Sequence, residues 1–253
     1  MRGLRALLLL SAAPLALGAA KPRLVPDVSQ NSIDIQYSFT GAELLLFGAI
    51  LYPGGRTPTE HADIAVVVKG PVQPLVVREK RKVAGIWMNI EAARFRSAPA
   101  FYAVASSRPL SKLIDERTAA IYELGLENLS LSPGGGKSPE VQRRFEAGLI
   151  DLLKRQQLYI EDPTGVRITD HVLYRGRITI PARVPVGDYT AETFLIKDGR
   201  VIAGAQREIR IGKTGFERDV AEAADRWSFA YGVAAVALSL LMGWGGSVVF
   251  RRG

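Results

Sequence analysis

Cysteine is absent from this chain, and histidine occurs only twice, at His61 and His171. Without thiols there is no disulfide framework, no Cys-based metal site, no thiol nucleophile and no covalent haem attachment. Two histidines so far apart exclude the HExxH arrangement of a zinc hydrolase, and no nucleophile-elbow pattern is present either. Each histidine stands in a turn-like stretch beside a carboxylate, Asp63 for the first and Asp170 for the second, and reads as a surface residue. Carboxylate pairs such as Asp115-Glu116 and Glu161-Asp162 are adjacent in sequence. Neighbouring side chains do not converge on one substrate atom, so no catalytic, cofactor-binding or metal-binding residue is expected. The chain is expected not to be an enzyme.

Charge is scarce in one place above all. From Trp227 to Phe250 the sequence WSFAYGVAAVALSLLMGWGGSVVF holds 24 residues without an ionisable acid or base, bounded by Arg226 and by Arg251-Arg252. At about 1.5 Å per residue a helix of that length covers roughly 36 Å, enough to cross a hydrocarbon core of about 30 Å with some tilt. At the other end, Arg2 and Arg5 precede an apolar stretch from Ala6 to Leu17, and Gly18-Ala19-Ala20 supplies small residues before Lys21. That is the pattern of a secretory signal peptide over residues 1–20. Arg251 and Arg252 then mark the cytoplasmic side, which places 251–253 in the cytoplasm and residues 21–226 across the membrane from it. The formal charge of +8 falls to +4 once Arg2, Arg5, Arg251 and Arg252 are set aside. So small a surplus is not the footprint of a nucleic-acid binder. A cysteine-free ectodomain must be held by its core, and about 200 residues suffice for one.

Between these ends the pattern is mostly β. SIDIQYSF alternates Ile33, Ile35, Tyr37 and Phe39 with polar residues, ELLLFGAIL follows Thr40-Gly41, and DIAVVVKG and QPLVVRE come next, the last with prolines that suggest an edge or a bend. REKRK reads as a charged loop leading into GIWMNIEAARF and FYAVASS. Later come GVRITD, VLYRGRITI and a hairpin in which Tyr189, Ala191, Thr193 and Leu195 alternate before an Asp198-Gly199 turn. A turn at Pro185–Asp188 ahead of a tyrosine-bearing strand is common in the late strands of Ig-like sandwiches. The expected fold class is therefore mainly β, an antiparallel Ig-like sandwich over 21–212, with an inserted helical segment at about 110–160 and one C-terminal transmembrane helix. Two small sandwiches remain the alternative, although 161–212 alone would give only about four strands, which favours one.

In the insertion, Ser111 is expected to cap a helix running to Leu124, and Ser138-Pro139-Glu140 to start a second. Val141, Phe145, Leu149, Leu152 and Leu153 line one face of that second helix. GGGKS at Gly134–Ser138 resembles part of a phosphate loop, but the complete motif requires glycine where Leu131 stands. It reads as a loop before a capped helix. Phe216, Val220, Ala223 or Ala224 and Trp227 are spaced for a juxtamembrane helix at 213–226.

Two surfaces can meet a partner. Ala235, Ser239, Gly243 and Ser247 recur every four residues along the apolar span, a small-residue face that lets another helix approach closely. The run Arg78–Lys82, with Trp87 and Arg94-Phe95-Arg96, is the most basic stretch; it reads first as a solvated hairpin loop and second as a contact for anionic lipid.

GIWMNIEAARF, FYAVASSRPL and VPVGDYTAETFLIKDG, together with a leader and one C-terminal span, resemble an uncharacterised alphaproteobacterial family of single-pass transmembrane proteins, over most of the mature chain. The resemblance implies a Gram-negative inner membrane and a periplasmic ectodomain, and its association with sulfite-exporter-type permeases points to a transporter as partner. It carries over no functional residue. Two functions are then expected in turn: a membrane-anchored periplasmic accessory protein that meets a polytopic partner or a second copy through the small-residue face, or a tethered binding module for a solute or envelope component.

Overall fold

The structure, a computed structural model, describes residues 21–35, 40–55, 62–213 and 224–250. The leader, Tyr37 and Phe39 of the first expected strand, His61, most of the juxtamembrane segment (214–223) and the tail 251–253 lie outside the described residues.

Thirteen strands are present among these residues: Arg23–Val28 (β1), Ser32–Ile35 (β2), Gly41–Leu51 (β3), Asp63–Lys69 (β4), Val72–Val83 (β5), Ile86–Pro99 (β6), Tyr102–Ser106 (β7), Ser132–Pro133 (β8), Tyr159–Asp162 (β9), Val166–Thr169 (β10), Leu173–Pro181 (β11), Gly187–Lys197 (β12) and Arg200–Lys213 (β13). They form a four-stranded sheet in the order β1-β3-β11-β10 and a six-stranded sheet in the order β2-β13-β12-β4-β7-β9, with a separate sheet β5-β6-β8. The two β regions interleave: β3 pairs with β11, Leu44 opposite Ile178, and β4 with β12, Val66 opposite Thr193. One hydrophobic core joins both regions, so they build one sandwich and not two.

The alternation read from the sequence is the cause. In β11, Tyr174, Ile178 and Ile180 are buried while Arg175, Arg177 and Thr179 face out. β4 is buried on both faces from Ile64 to Val68, because the helical insertion covers the side turned away from the other sheet. There Tyr122 stacks edge-on against Phe194, ring centroids 5.3 Å apart. The Asp198-Gly199 turn joins β12 and β13 with both residues at positive φ (51° and 76°), the backbone of a two-residue hairpin. The Tyr189 hydroxyl donates to the Pro185 carbonyl at 2.6 Å, tying the strand to the turn before it.

Several expectations change. Two pairs, β2 with β13 and β7 with β9, are parallel. The second is possible because the whole helical insertion serves as its crossover. Ser111 caps nothing: helix α1 spans Leu110–Leu113, Ile114 is extended and bridged to Gly199, and Asp115 caps α2 (Glu116–Ile121) by accepting from the Thr118 amide at 2.8 Å. Pulling buried Ile114 into the sheet breaks what periodicity read as a single helix. Helix α3, Pro139–Arg155, starts as expected, with the Ser138 hydroxyl accepting from the Val141 amide. Phe145, Leu149 and Leu153 are buried, but Leu152 turns outward and is 45% exposed. The run Arg78–Lys82 is not a loop: it lies inside β5, paired with β6 across a two-residue turn at Ala84-Gly85.

Three core tyrosines make the fold sensitive to alkali. Tyr102, Tyr159 and Tyr189 donate to the carbonyls of Glu123, Pro99 and Pro185, and burial pushes all three hydroxyls well above the ordinary tyrosine value. A raised folded-state pKa gives stability that is whole below about pH 10 and is lost as the pH climbs through the folded value. The thermal midpoint of the detergent-purified chain is expected to hold to about pH 10 and then fall steeply, with tyrosinate absorbance appearing together with unfolding. Tyrosinate that appears fully while the chain stays folded would refute this.

Candidate functional site

Helix α4, Ser228–Phe250, is long and apolar enough to cross a membrane, with a candidate span of Ser228–Ser247 whose most apolar stretch has none of its residues buried against the rest of the protein. Ala235, Ser239, Gly243 and Ser247 fall on one continuous helix, four apart, and so share one face. The Ser239 hydroxyl donates to the Ala235 carbonyl at 2.8 Å, which satisfies it without an outside acceptor. A Cβ built on Gly243 meets nothing within 4 Å. Large apolar side chains, among them Phe229, Leu240, Met242 and Trp244, are exposed around the rest of the helix. That is the surface of an element made for lipid or another helix.

The second surface is an arm. β5 and β6 run 12 and 14 residues and stay paired to their turn. At mid-length Glu79 and Glu91 clamp the arm to α3 through Arg144, 3.1 and 2.6 Å away, and Lys137 pairs with Glu91 at 3.0 Å. These partners hold the Glu91 carboxyl below its ordinary value, the Lys137 hydrogen bond contributing most. Lys137 is thus engaged with β6, and GGGKS precedes α3 as a connecting loop. Beyond the clamp, Val83, Ile86, Trp87 and Met88 are exposed, Ile86 and Trp87 each by 67%. The basic stretch was legible in the sequence, but its pairing with GIWMN was missed; the signal was Ala84-Gly85 set between two runs of strand length.

His171 lines a cleft of about 720 Å³ with Asp63, Ser107, Arg108 and Asp170. The Ser107 hydroxyl donates to Asp63 at 2.8 Å, and Arg108 is paired with the same carboxylate. No group of three or more potential metal ligands occurs among the described residues. A larger cleft, about 930 Å³, lies where the ends of β3 and β11 meet the end of α3, lined by Glu43, Lys154, Arg155, Glu161 and Arg183 among others.

Residues 23–252 match the family described as "Putative transmembrane protein (Alph_Pro_TM)". The chain belongs to this family. Membership and the exposed apolar helix α4 agree that the protein is anchored in a membrane by one C-terminal span. No curated protein matches it. Among solved structures it is similar to the sporulation control protein Spo0M from Bacillus subtilis, at 9% identity and a TM-score of 0.29, covering 82% of this chain and 56% of that one. The chain spans little more than half of that protein's length, and so low a likeness carries no argument.

Proposed function

We propose that this family member is a non-enzymatic accessory protein of a bacterial inner membrane, exported by its leader, with the sandwich in the periplasm and 251–253 in the cytoplasm. Its partner is a polytopic membrane protein of the transporter class, gripped by α4. The observation that carries this reading is the face Ala235, Ser239, Gly243, Ser247, aligned on a helix whose most apolar stretch has no residue buried against the rest of the protein. The resemblance to proteins associated with permeases supports the choice of partner. A second reading, a tethered binding module, is favoured by the cleft of about 930 Å³ with its mixed charges.

Cross-linking in intact membranes followed by purification of the full chain separates the two. Gly243→Ile places a branched side chain on the small face and is expected to reduce recovery of a specific polytopic protein at least tenfold, while Leu240→Ile on the flank leaves it unchanged. Recovery of the chain alone from both would exclude the accessory reading. Retention of a small ligand by both variants would then favour the binding module.

A further inference from the structure

The far end of the β5–β6 arm has the build of a lipid-inserting wedge. Cross-strand pairing sets Val83 opposite Ile86, Lys82 opposite Trp87, Arg81 opposite Met88 and Lys80 opposite Asn89. Side chains alternate faces along a strand, so Val83, Ile86 and Met88 lie on one side of the hairpin and Trp87 on the other. A sheet that docks on a protein is apolar on the face it buries. This tip carries apolar side chains on both faces, which suits a medium that surrounds it. Basic side chains stand beside them on β5: Lys82 opposite Trp87 on one face and Arg81 opposite Met88 on the other, with Lys80 one pair further back. Lys80, Arg81 and Lys82 form a basic collar; Arg81 reaches back to Glu79 at 2.9 Å, and Lys80 and Lys82 form no ion pair among the described residues. Glu79 is shared between Arg81 and Arg144, and Glu91 is held by Arg144 and Lys137, so the charge the collar keeps is that of Lys80 and Lys82.

A bilayer is always within reach. Residues 214–227 separate β13 from α4 and span at most about 50 Å, so the sandwich is tethered beside a membrane surface whatever else it meets. The wedge is also the right height. Unpaired strand edges are costly in hydrocarbon, which limits entry to the turn and the first three cross-strand pairs, roughly 10 Å at 3.3 Å per residue, with the long side chains of Lys82 and Arg81 reaching back to the headgroups. That is the depth of the interface between headgroups and acyl chains, where tryptophan concentrates and where basic side chains meet anionic phosphates. We propose that the β5–β6 tip, Val83–Met88, inserts into the interfacial layer of the membrane that α4 spans, with Lys80 and Lys82 on anionic headgroups. This goes beyond the accessory reading and needs no protein partner.

The absence of cysteine makes the test clean. Ile86→Cys, and as a control Val72→Cys at the root of the arm, would each be labelled with an environment-sensitive fluorophore, and the full chain reconstituted into vesicles containing doxyl lipids. In phosphatidylcholine with phosphatidylglycerol, the label at position 86 is expected to shift blue and be quenched several-fold, the label at 72 to remain in water. Phosphatidylcholine alone, or Lys80→Glu with Lys82→Glu, should remove most of the quenching. All substituted side chains are exposed or at the arm's surface, so folding is not at stake. A water-like, unquenched label at 86 would overturn the proposal. So would a blue shift without lipid quenching, which would mean the tip sits on protein. Equal quenching with and without phosphatidylglycerol would overturn the role of the two lysines.

Discussion

Phe101→Ala is expected to lower stability by about 3–5 kcal/mol, the range for a large aromatic deleted from a packed core. The ring is wholly buried, tilted against Tyr189 with centroids 6.0 Å apart, between β6 and β7 where the chain turns from the arm into the sandwich. Its surroundings cannot close over the loss. Tyr189 is held at its far end by Pro185, and the Phe101 carbonyl accepts from the Gly70 amide at 2.8 Å, which fixes the backbone on the other side. For a domain of this size the thermal midpoint should fall by roughly 6–20 °C. Phe47, 38% exposed on β3, is the comparison. Thermal unfolding of the two variants in detergent should give a much smaller drop for Phe47→Ala; equal drops would mean that the Phe101 pocket collapses freely.

Gly48→Ala should be nearly as damaging for the opposite reason. A Cβ at position 48 would collide with the Val25 carbonyl oxygen and lie 2.5 Å from the Tyr174 hydroxyl. Glycine here lets edge strand β1 and the buried Tyr174 ring crowd onto β3 from the same side. One methyl group must displace backbone, and the cost of such overpacking is about 1–3 kcal/mol or more. Gly212→Ala is the control, since a Cβ there meets nothing within 4 Å. Tyr174→Phe in the Gly48→Ala background should restore part of the loss by removing the hydroxyl. If the Gly48 and Gly212 variants unfold at the same denaturant concentration, the close approach is not what glycine serves.

The elements that were legible in advance are those whose evidence is local. β11 alternates strictly, the Asp198-Gly199 hairpin carries its own turn residues, Ser138-Pro139 announces α3, and α4 is uncharged from end to end. What was missed depends on partners distant in sequence. β1, with Pro26 in its middle, is a strand because β3 offers it an edge, and Arg207 Nε donates to the Pro26 carbonyl at 3.0 Å. β9 is four residues with no clear alternation, held by β7 and by the Tyr102 amide donating to Leu158 at 2.9 Å. Arg78–Lys82 is rich in charge, and composition alone says loop; only its register against Ala92–Trp87 makes it strand. The small-residue face of α4 follows from spacing within one helix and could be read directly. The apolar wedge could not, because it exists only when two strands bring Val83 and Trp87 to the same end.

The interleaving of the two β regions dictates the order in which this protein can assemble. Leu44 waits for Ile178, Val66 for Thr193, and Ile33 for Ile211 almost at the membrane anchor. Contacts this remote carry a loop-closure penalty before they return anything, so folding is slow compared with a helical domain of equal size. Until β11, β12 and β13 have emerged, the early strands have edges with no partners and apolar faces with nothing above them. Such a chain invites aggregation for as long as it is incomplete. The arm is the exception: β5 and β6 are neighbours in sequence and close on a two-residue turn, so it can form while the rest is still waiting.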